Sequence, residues 1–269
     1  MTDTPLLPSS FLPLDWRTVA AAYGHTNGRV GRRIVYYPSV DSTNVRARGL
    51  LRDGAVHGTV VVADEQTQGR GRLGRSWTAP PRSGLAVSVC LRPRVGFRLP
   101  LVAVSAALAV GDTVRALVGA SRCTLKWPND VLVDERKVCG ILVELDGAPG
   151  AWTVVLGVGL NVNASPPLPT AISLASAVGV LVPREPLLVD LLAALEGYLD
   201  RAAAQPETVM GLWRDRLATL GRRVRVTTPG GVLEGLALDV DGDGALLLRL
   251  DDGMVRPLHA GDVSLTSDE

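Results

Sequence analysis

The sequence predicts an α+β protein in which a mixed β-sheet is packed with helices and a small β module follows at the C-terminal end. Three observations predict it. Short apolar runs alternate irregularly with helical patterns, so hairpins and helices interleave and no repeating βαβ unit emerges. The most apolar segment, 99–119, carries Ala103, Ala107, Val110, Val114 and Leu117 at helical spacing, with Gly119 at its end. After Gly221 the texture changes to short strands punctuated by PGG, DGDG and DDG, as expected of a five-stranded barrel or similar module. The boundary falls near 220, giving domains of 1–219 and 220–269.

In order, 14–23 predicts a short helix and RIVYY (33–37) a strand. PSVDSTN (38–44) is a turn into a helix over 44–52. TVVVADE (59–65) is a strand that runs into the loop QTQGRGRLGRSW (66–77). Two prolines and a glycine keep 77–84 irregular, and LAVSVCLRP (85–93) is the next strand. Segment 100–118 is a helix; Asp112 and Arg115 mark it as a buried helix of the core, not a membrane span. CTLKWP (123–128) starts a strand, and 130–145 reads as a hairpin about an Asp-Glu-Arg turn. Residues 152–163 form a strand whose glycines indicate close approach of a ligand or another backbone. A proline-rich loop (166–170) and helices over 186–204 and 206–219 complete the large domain.

With 46% hydrophobic but only 4% aromatic residues, the core must be Val, Leu and Ala. Twenty-eight basic residues against 27 acidic give a net charge of +1, which argues against a bulk nucleic-acid binder. Nearly all the basic residues are arginine. The two lysines, Lys126 and Lys137, both fall in KWPNDVLVDERK (126–137), making it the first place to look for ammonium chemistry. Cys90, Cys123 and Cys139 lack CxxC spacing and read as buried thiols of a reducing cytosol. His25, His57 and His259 are too scattered for a metal cluster. The N-terminal stretch has no basic region leading a sustained apolar one, so no signal peptide is expected.

Gly69-x-Gly71-x-x-Gly74 formally satisfies GxGxxG, but a dinucleotide site needs a helix directly after it. Here Ser-Trp-Thr-Ala-Pro-Pro follows. A short glycine-arginine loop between strands fits a lid better: glycines let it fold over a ligand, and arginines bind carboxylate or phosphate. A solvated basic turn is the plain alternative. DVDGDG (239–244) begins like a calcium loop, but position twelve is Leu250 where Glu is required, so it is a hairpin turn. KWPND (126–130) reads either as a simple turn or as a site where Asp130 holds Mg²⁺ beside substrate phosphates. DSTN (41–44) is either a plain helix N-cap or a ligand-facing turn.

Taken as an ordered set, DSTN, EQTQGRGRLGRSW, KWPNDV, RKVCGILVE and GVGLNVN closely resemble the biotin protein ligases over roughly residues 35–190. The C-terminal module resembles the same family's SH3-like domain. The resemblance implies a catalytic domain of the class II aminoacyl-tRNA synthetase/biotin ligase type and a two-step reaction. Biotin and Mg·ATP give biotinoyl-5′-AMP and pyrophosphate; a lysine of a biotin carboxyl carrier protein then displaces AMP. It implies biotin contacts from Ser42, Thr43, Asn44, Gln66, Gly69, Arg70, Gly71, Arg72, Lys137, Gly157 and Gly159. Of these, Ser42, Thr43 and Gln66 would face the ureido ring, and Arg72 with Lys137 the carboxylate. Arg72, Arg75, Trp77, Lys126, Asn129 and Asn161 would serve ATP, Asp130 would hold Mg²⁺, and Lys137, Arg72 and Arg70 would carry the chemistry. Some relatives stack a Trp on adenine at the position near Ala171.

Some members also repress transcription through an N-terminal winged helix-turn-helix, for which the residues before Asp41 leave too little room. The expectation is therefore a cytoplasmic ligase, monomer or weak homodimer, acting on a carrier protein and binding neither DNA nor membrane. A lipoate or octanoate ligase, a non-catalytic biotin sensor and an RG-type RNA binder are the competing classes. The loop 66–77 is expected to be mobile in the empty enzyme, because its glycines are costly to order and its arginines lack evident local partners.

Overall fold

Period-two alternation of side chains organises the large domain. The structure, a computed structural model, describes residues 12–24, 28–148, 151–166 and 168–265; His25 lies outside them. Strands β1 (Ile34–Tyr37), β2 (Thr59–Ala63), β3 (Leu85–Leu91), β4 (Cys123–Lys126), β5 (Asp130–Val133), β6 (Arg136–Asp146) and β7 (Thr153–Leu160) form one sheet. Its order is β1-β2-β3-β7-β6-β5-β4. β1 runs parallel to β2 and every other pair is antiparallel, so the sheet is mixed.

One face of β3 and β7, with Val87, Val89, Leu91, Leu156 and Val158, joins the main apolar core. That core lies against α3 (Pro100–Val118), α5 (Arg184–Ala204) and α6 (Pro206–Arg214). α3 is long and apolar enough to cross a membrane, yet thirteen of its nineteen residues are buried here. It starts on Pro100, and Gly119 at φ 92 ends it. The other face is covered by α2 (Thr43–Arg52), whose Ala47 and Leu51 pack on Val61, Cys90 and Val155. Ser88, Gly157 and Gly159 also alternate onto this face. Small residues there leave room beside α2. α1 (Trp16–Gly24) packs against α5.

Two expectations need correction. The helix predicted over 206–219 stops at Arg214. Leu125 N–H donates to the Arg216 carbonyl at 2.9 Å and Ala218 N–H to the Leu125 carbonyl at 2.8 Å, so the chain is captured as an edge partner of β4. A short helix absent from the sequence reading, α4 (Leu174–Val178), follows Ser173, whose side chain caps it by accepting from Ser176 N–H. The hairpin at Asp134-Glu135 is as expected, with both residues at positive φ.

β8 (Arg223–Thr228), β9 (Gly231–Val240), β10 (Leu246–Arg249), β11 (Val255–Leu258) and β12 (Asp262–Leu265) build the second sheet, in the order β11-β10-β9-β8-β12. DVDGDG is a turn: Asp241 Oδ1 accepts from the N–H groups of Asp243 and Ala245. This module is fastened to the first by Trp127, 1% exposed, whose Nε1 donates to the Gly244 carbonyl at 2.9 Å. The three cysteines are free and buried, and burial pushes the Cys90 and Cys123 thiols up to about 11.

Candidate active site

The cavity is built where small residues meet a helix start. Ser42, Thr43 and Asn44 open α2 and are all buried. Ser42 occupies the N-cap position, but its side chain makes no capping bond, so capping does not explain DSTN. Thr43 instead donates from N–H and Oγ1 to Gln66 Oε1, at 2.8 and 3.0 Å. Ser88 Oγ lies 2.8 Å from Thr43 Oγ1 and 2.6 Å from Asn44 Oδ1. Asn44 lies directly over Gly157, in the space that a Cβ would occupy. The result is a dense cluster of hydroxyl and amide groups at one end of the cavity.

The far end is cationic. Lys137, beside the β5–β6 turn, pairs with Asp130 at 2.7 Å. Arg72 donates to Asn129 Oδ1 at 3.0 Å, and Asn129 Nδ2 in turn donates to the Ile141 carbonyl at 2.6 Å. Among the described residues Arg72 forms no ion pair, although it is half-buried. Burial pulls its guanidinium below the ordinary arginine range, while Asp130 and Asp262 act in the opposite direction. A partly desolvated cation with a neutral partner is poised for an incoming anion.

Between the two ends the floor is Gly140 and Gly159, and on it lies Trp77. The indole occupies the space that a Gly159 Cβ would need and comes within 3.2 Å of one at Gly140. Lys137 Nζ sits 5.9 Å from the ring centroid. The cavity measures about 110 Å³ and adjoins a groove of about 1130 Å³ between the lid, α3 and the C-terminal module.

The lid is a small closed loop. Arg70 and Ser76 pair as an antiparallel bridge, Gly71 N–H bonds the Arg75 carbonyl at 2.7 Å and Trp77 N–H the Gly69 carbonyl at 2.9 Å. Its tip, Arg72–Gly74, is a single 3₁₀ turn with Leu73 and Gly74 at positive φ. The expectation that its arginines lack partners is not met. Arg70 reaches Glu144 at 3.5 Å, Arg72 reaches Asn129, and Arg75 pairs with Asp262 of the C-terminal module. Burial raises the Asp262 carboxyl, but its bond to Arg75 and the charges of Arg75, Lys126 and Lys137 outweigh this and hold it below its usual range.

Matches to known proteins follow the same architecture. Residues 36–161 match the biotin/lipoate A/B protein ligase family, and residues 219–266 match the biotin protein ligase C terminal domain. A biotin–[acetyl-CoA-carboxylase] ligase of Mycobacterium tuberculosis is 37% identical over 244 residues, covering 86% of this chain and 88% of that protein. The chain belongs to the biotin protein ligase family. A bifunctional ligase/repressor of Bacillus subtilis is 32% identical over 88% of this chain and 75% of its own length. The Aquifex aeolicus biotin protein ligase solved with biotin and ATP superposes with a TM-score of 0.73, at 28% identity, over 88% of this chain and all of that one.

Most of the predicted site residues of this ligase come together. Ser42, Thr43, Asn44, Gln66, Arg70, Gly71, Arg72, Arg75, Trp77, Asn129, Asp130, Lys137, Gly157 and Gly159 line the cavity, and Gly69 lines the groove beside it. Trp77, expected to serve ATP, lies on the cavity floor over Gly159 and Gly140. Lys126 and Asn161 line neither space. Asn161 is 1% exposed and brackets the chain: its N–H bonds the Val138 carbonyl and its carbonyl accepts from Leu174 N–H. Ala171 pairs with Lys137, so the position at which some relatives carry Trp adjoins the cationic end. Sequence reading missed Ser88, Gly140, Glu144 and Asp262. The first three alternate onto the site face of their strands, a period-two signal that was available. Asp262 comes from the other module and left no local signal.

Proposed function

We propose that this chain activates biotin as biotinoyl-5′-AMP and transfers it to a lysine of the biotin carboxyl carrier domain of a carboxylase such as acetyl-CoA carboxylase. One observation carries the reading. A single cavity holds neutral hydrogen-bonding groups (Thr43, Asn44, Gln66), backed by the buried Ser88, at one end and Arg72 with Lys137 at the other, over a glycine floor walled by Trp77. A flat ring with a urea head and an anionic tail fits that division.

In the first step a biotin carboxylate oxygen attacks the α-phosphorus of ATP, forming the acyl–phosphate bond as the bond to the pyrophosphate oxygen breaks. Both reactants are anions, so fixed cations must offset their repulsion; Arg72 and Lys137 sit where that charge concentrates, and Arg70 and Arg75 approach with the lid. The Asp130–Lys137 pair keeps the ammonium aimed at the cavity. In the second step the carrier amine attacks the acyl carbon, AMP leaves with its phosphate oxygen, and the amine's surplus proton is lost. The groove outside the lid gives the carrier lysine its approach.

Among the described residues no three His, Cys, Asp or Glu side chains gather for a resident metal. Asp130 would be the protein carboxylate for Mg²⁺ carried in with the triphosphate, a role that would compete with its pair to Lys137. Such an ion would neutralise phosphate charge. With three buried free thiols, we also infer a reducing, cytoplasmic setting.

The test is ATP–pyrophosphate exchange with biotin, and with lipoate in parallel. Exchange that depends on biotin, reduced about 10²–10³-fold in Lys137→Ala, is the expected result. Exchange with lipoate alone, or folded protein silent with both, would overturn the assignment.

A further inference from the structure

We propose that Glu144 is a positioning residue that decides ligand choice: it fixes the hydrogen-bond polarity of the head-group end of the cavity and ties that end to the lid. The inference rests on the reading of this cavity as a biotin site and names what enforces it.

Glu144 lies on β6, four residues beyond Gly140 and on the same face, with its side chain only 18% exposed. Both carboxylate oxygens are engaged. Oε2 accepts from Asn44 Nδ2 at 2.8 Å, while Oε1 meets Arg48 at 2.7 Å and Arg70 at 3.5 Å. Asn44 and Arg48 are one helical turn apart on α2, so a single carboxylate grips one face of that helix together with the lid arginine.

The consequence lies in the Asn44 amide. An ionised carboxylate can only accept hydrogen bonds, so Glu144 forces the Asn44 NH₂ group towards itself and the carbonyl Oδ1 towards Ser88 and Gly157. Without Glu144 the nearby Ser88 hydroxyl would tolerate either orientation, because a hydroxyl donates and accepts. Thr43 spends its hydroxyl hydrogen on Gln66 Oε1. Ser88 has one hydrogen for two neighbours, Asn44 Oδ1 and Thr43 Oγ1. Asn44 Oδ1 is thus held as an acceptor, while Gln66, whose Oε1 is taken by Thr43, keeps its amide hydrogens to offer. A urea ring brings N–H donors and a carbonyl that match both. A dithiolane ring brings neither and would leave buried polar groups unsatisfied, the kind of mismatch on which binding sites discriminate most strongly. Arg70 on the same carboxylate makes lid position depend on the head-group end.

The experiment compares wild type, Glu144→Ala and Glu144→Gln by calorimetry with biotin and with lipoate, by the rate of tryptic cleavage in the lid, and by thermal melting. Glu144→Ala should weaken biotin binding at least about tenfold, as expected for loss of an enforced buried hydrogen bond, narrow the biotin-to-lipoate ratio and speed lid cleavage. Glu144→Gln can accept from or donate to Asn44, so it no longer enforces one orientation, and it drops the charge that holds Arg48 and Arg70. It should bind biotin more weakly than wild type but more tightly than Glu144→Ala, because one of its amide orientations still accepts from Asn44, while the lid is still cut faster. Wild-type affinity and cleavage in Glu144→Ala would overturn the proposal. So would equal affinity losses in the two variants, or losses that only track a fall in melting temperature. Wild-type protein that binds neither ligand would instead sink the biotin reading itself, leaving the two failures distinct.

Discussion

At the scale of single residues, the site depends on atoms that are missing. Gly157 and Gly159 are two apart on β7 and therefore share a face. One lies under Asn44 and the other under the Trp77 indole. Gly159→Ala puts a methyl group into the ring's place, so the indole must shift within the cavity. We expect stability to fall by about 1–3 kcal/mol, the usual cost of overpacking, and biotin affinity to drop at least about tenfold because the displaced ring intrudes on the ligand's space. Calorimetry beside a thermal melt checks it; unchanged affinity would show that Trp77 does not wall the ligand. The GVG spacing made this position legible. The indole's destination was not, because nothing in GRSWTAPP says where the chain turns back.

At the scale of elements, a buried network fixes the strand end that delivers Gln66. Asp64 directly follows β2 and is paired at 2.9 Å with Arg184, the first residue of α5; their side chains are 3% and 5% exposed. Tyr36 of β1 donates to Asp64 Oδ2 at 2.6 Å, and Arg184 also reaches the carbonyls of Gly84 and Leu12. Leaving one partner of such a buried pair alone costs about 3–5 kcal/mol, so Asp64→Ala should lower stability by that order in denaturant titrations. Burial and the bond to Asp64 raise the Tyr36 hydroxyl from 10.0 to about 12. The native state thus holds its proton where the unfolded chain has lost it. That contribution is intact below pH 10 and disappears as pH rises through about 12. Tyr36→Phe should flatten part of the alkaline loss of stability. The buried thiols of Cys90 and Cys123, also raised, account for a share that this variant leaves in place. An unchanged alkaline profile would rule out the assignment to Tyr36.

At the scale of the whole molecule, the C-terminal module completes the site. Asp262 of β12 holds Arg75 at the base of the lid, and Gly261 and Asp262 both line the cavity. The module is held in place by the Trp127–Gly244 bond and by Arg98, which reaches Glu207 at 2.6 Å and Asp243 at 3.7 Å. Asp262→Asn should leave both modules folded yet loosen the lid. Its expected signature is a several-fold faster tryptic cleavage near Arg75 and a raised KM for ATP, with biotin affinity less affected. An exposed pair contributes only about 0–1 kcal/mol, so a loss of stability larger than that would point to a structural role for Asp262 instead.

The strands, the long helices, the change of texture near residue 220 and most of the cavity lining were legible in the sequence, because they rest on local periodicity and on motifs whose residues lie close together along the chain. DSTN, GRGR, KWPND and GVG each name their own chemistry. What the sequence left open concerns partners across space. Helix 206–219 was overextended because β4 captures Arg216 and Ala218, a tertiary contact that overrides local helical preference. The lid arginines looked unpartnered because Glu144, Asn129 and Asp262 lie 57 to 187 residues away. Asn161 lies two residues beyond Gly159, where alternation alone would share the glycines' face, yet β7 ends at Leu160 and the Asn161 amide turns to donate to the Ile172 carbonyl. Local sequence determined which groups this ligase carries; only the tertiary structure decided which of them meet.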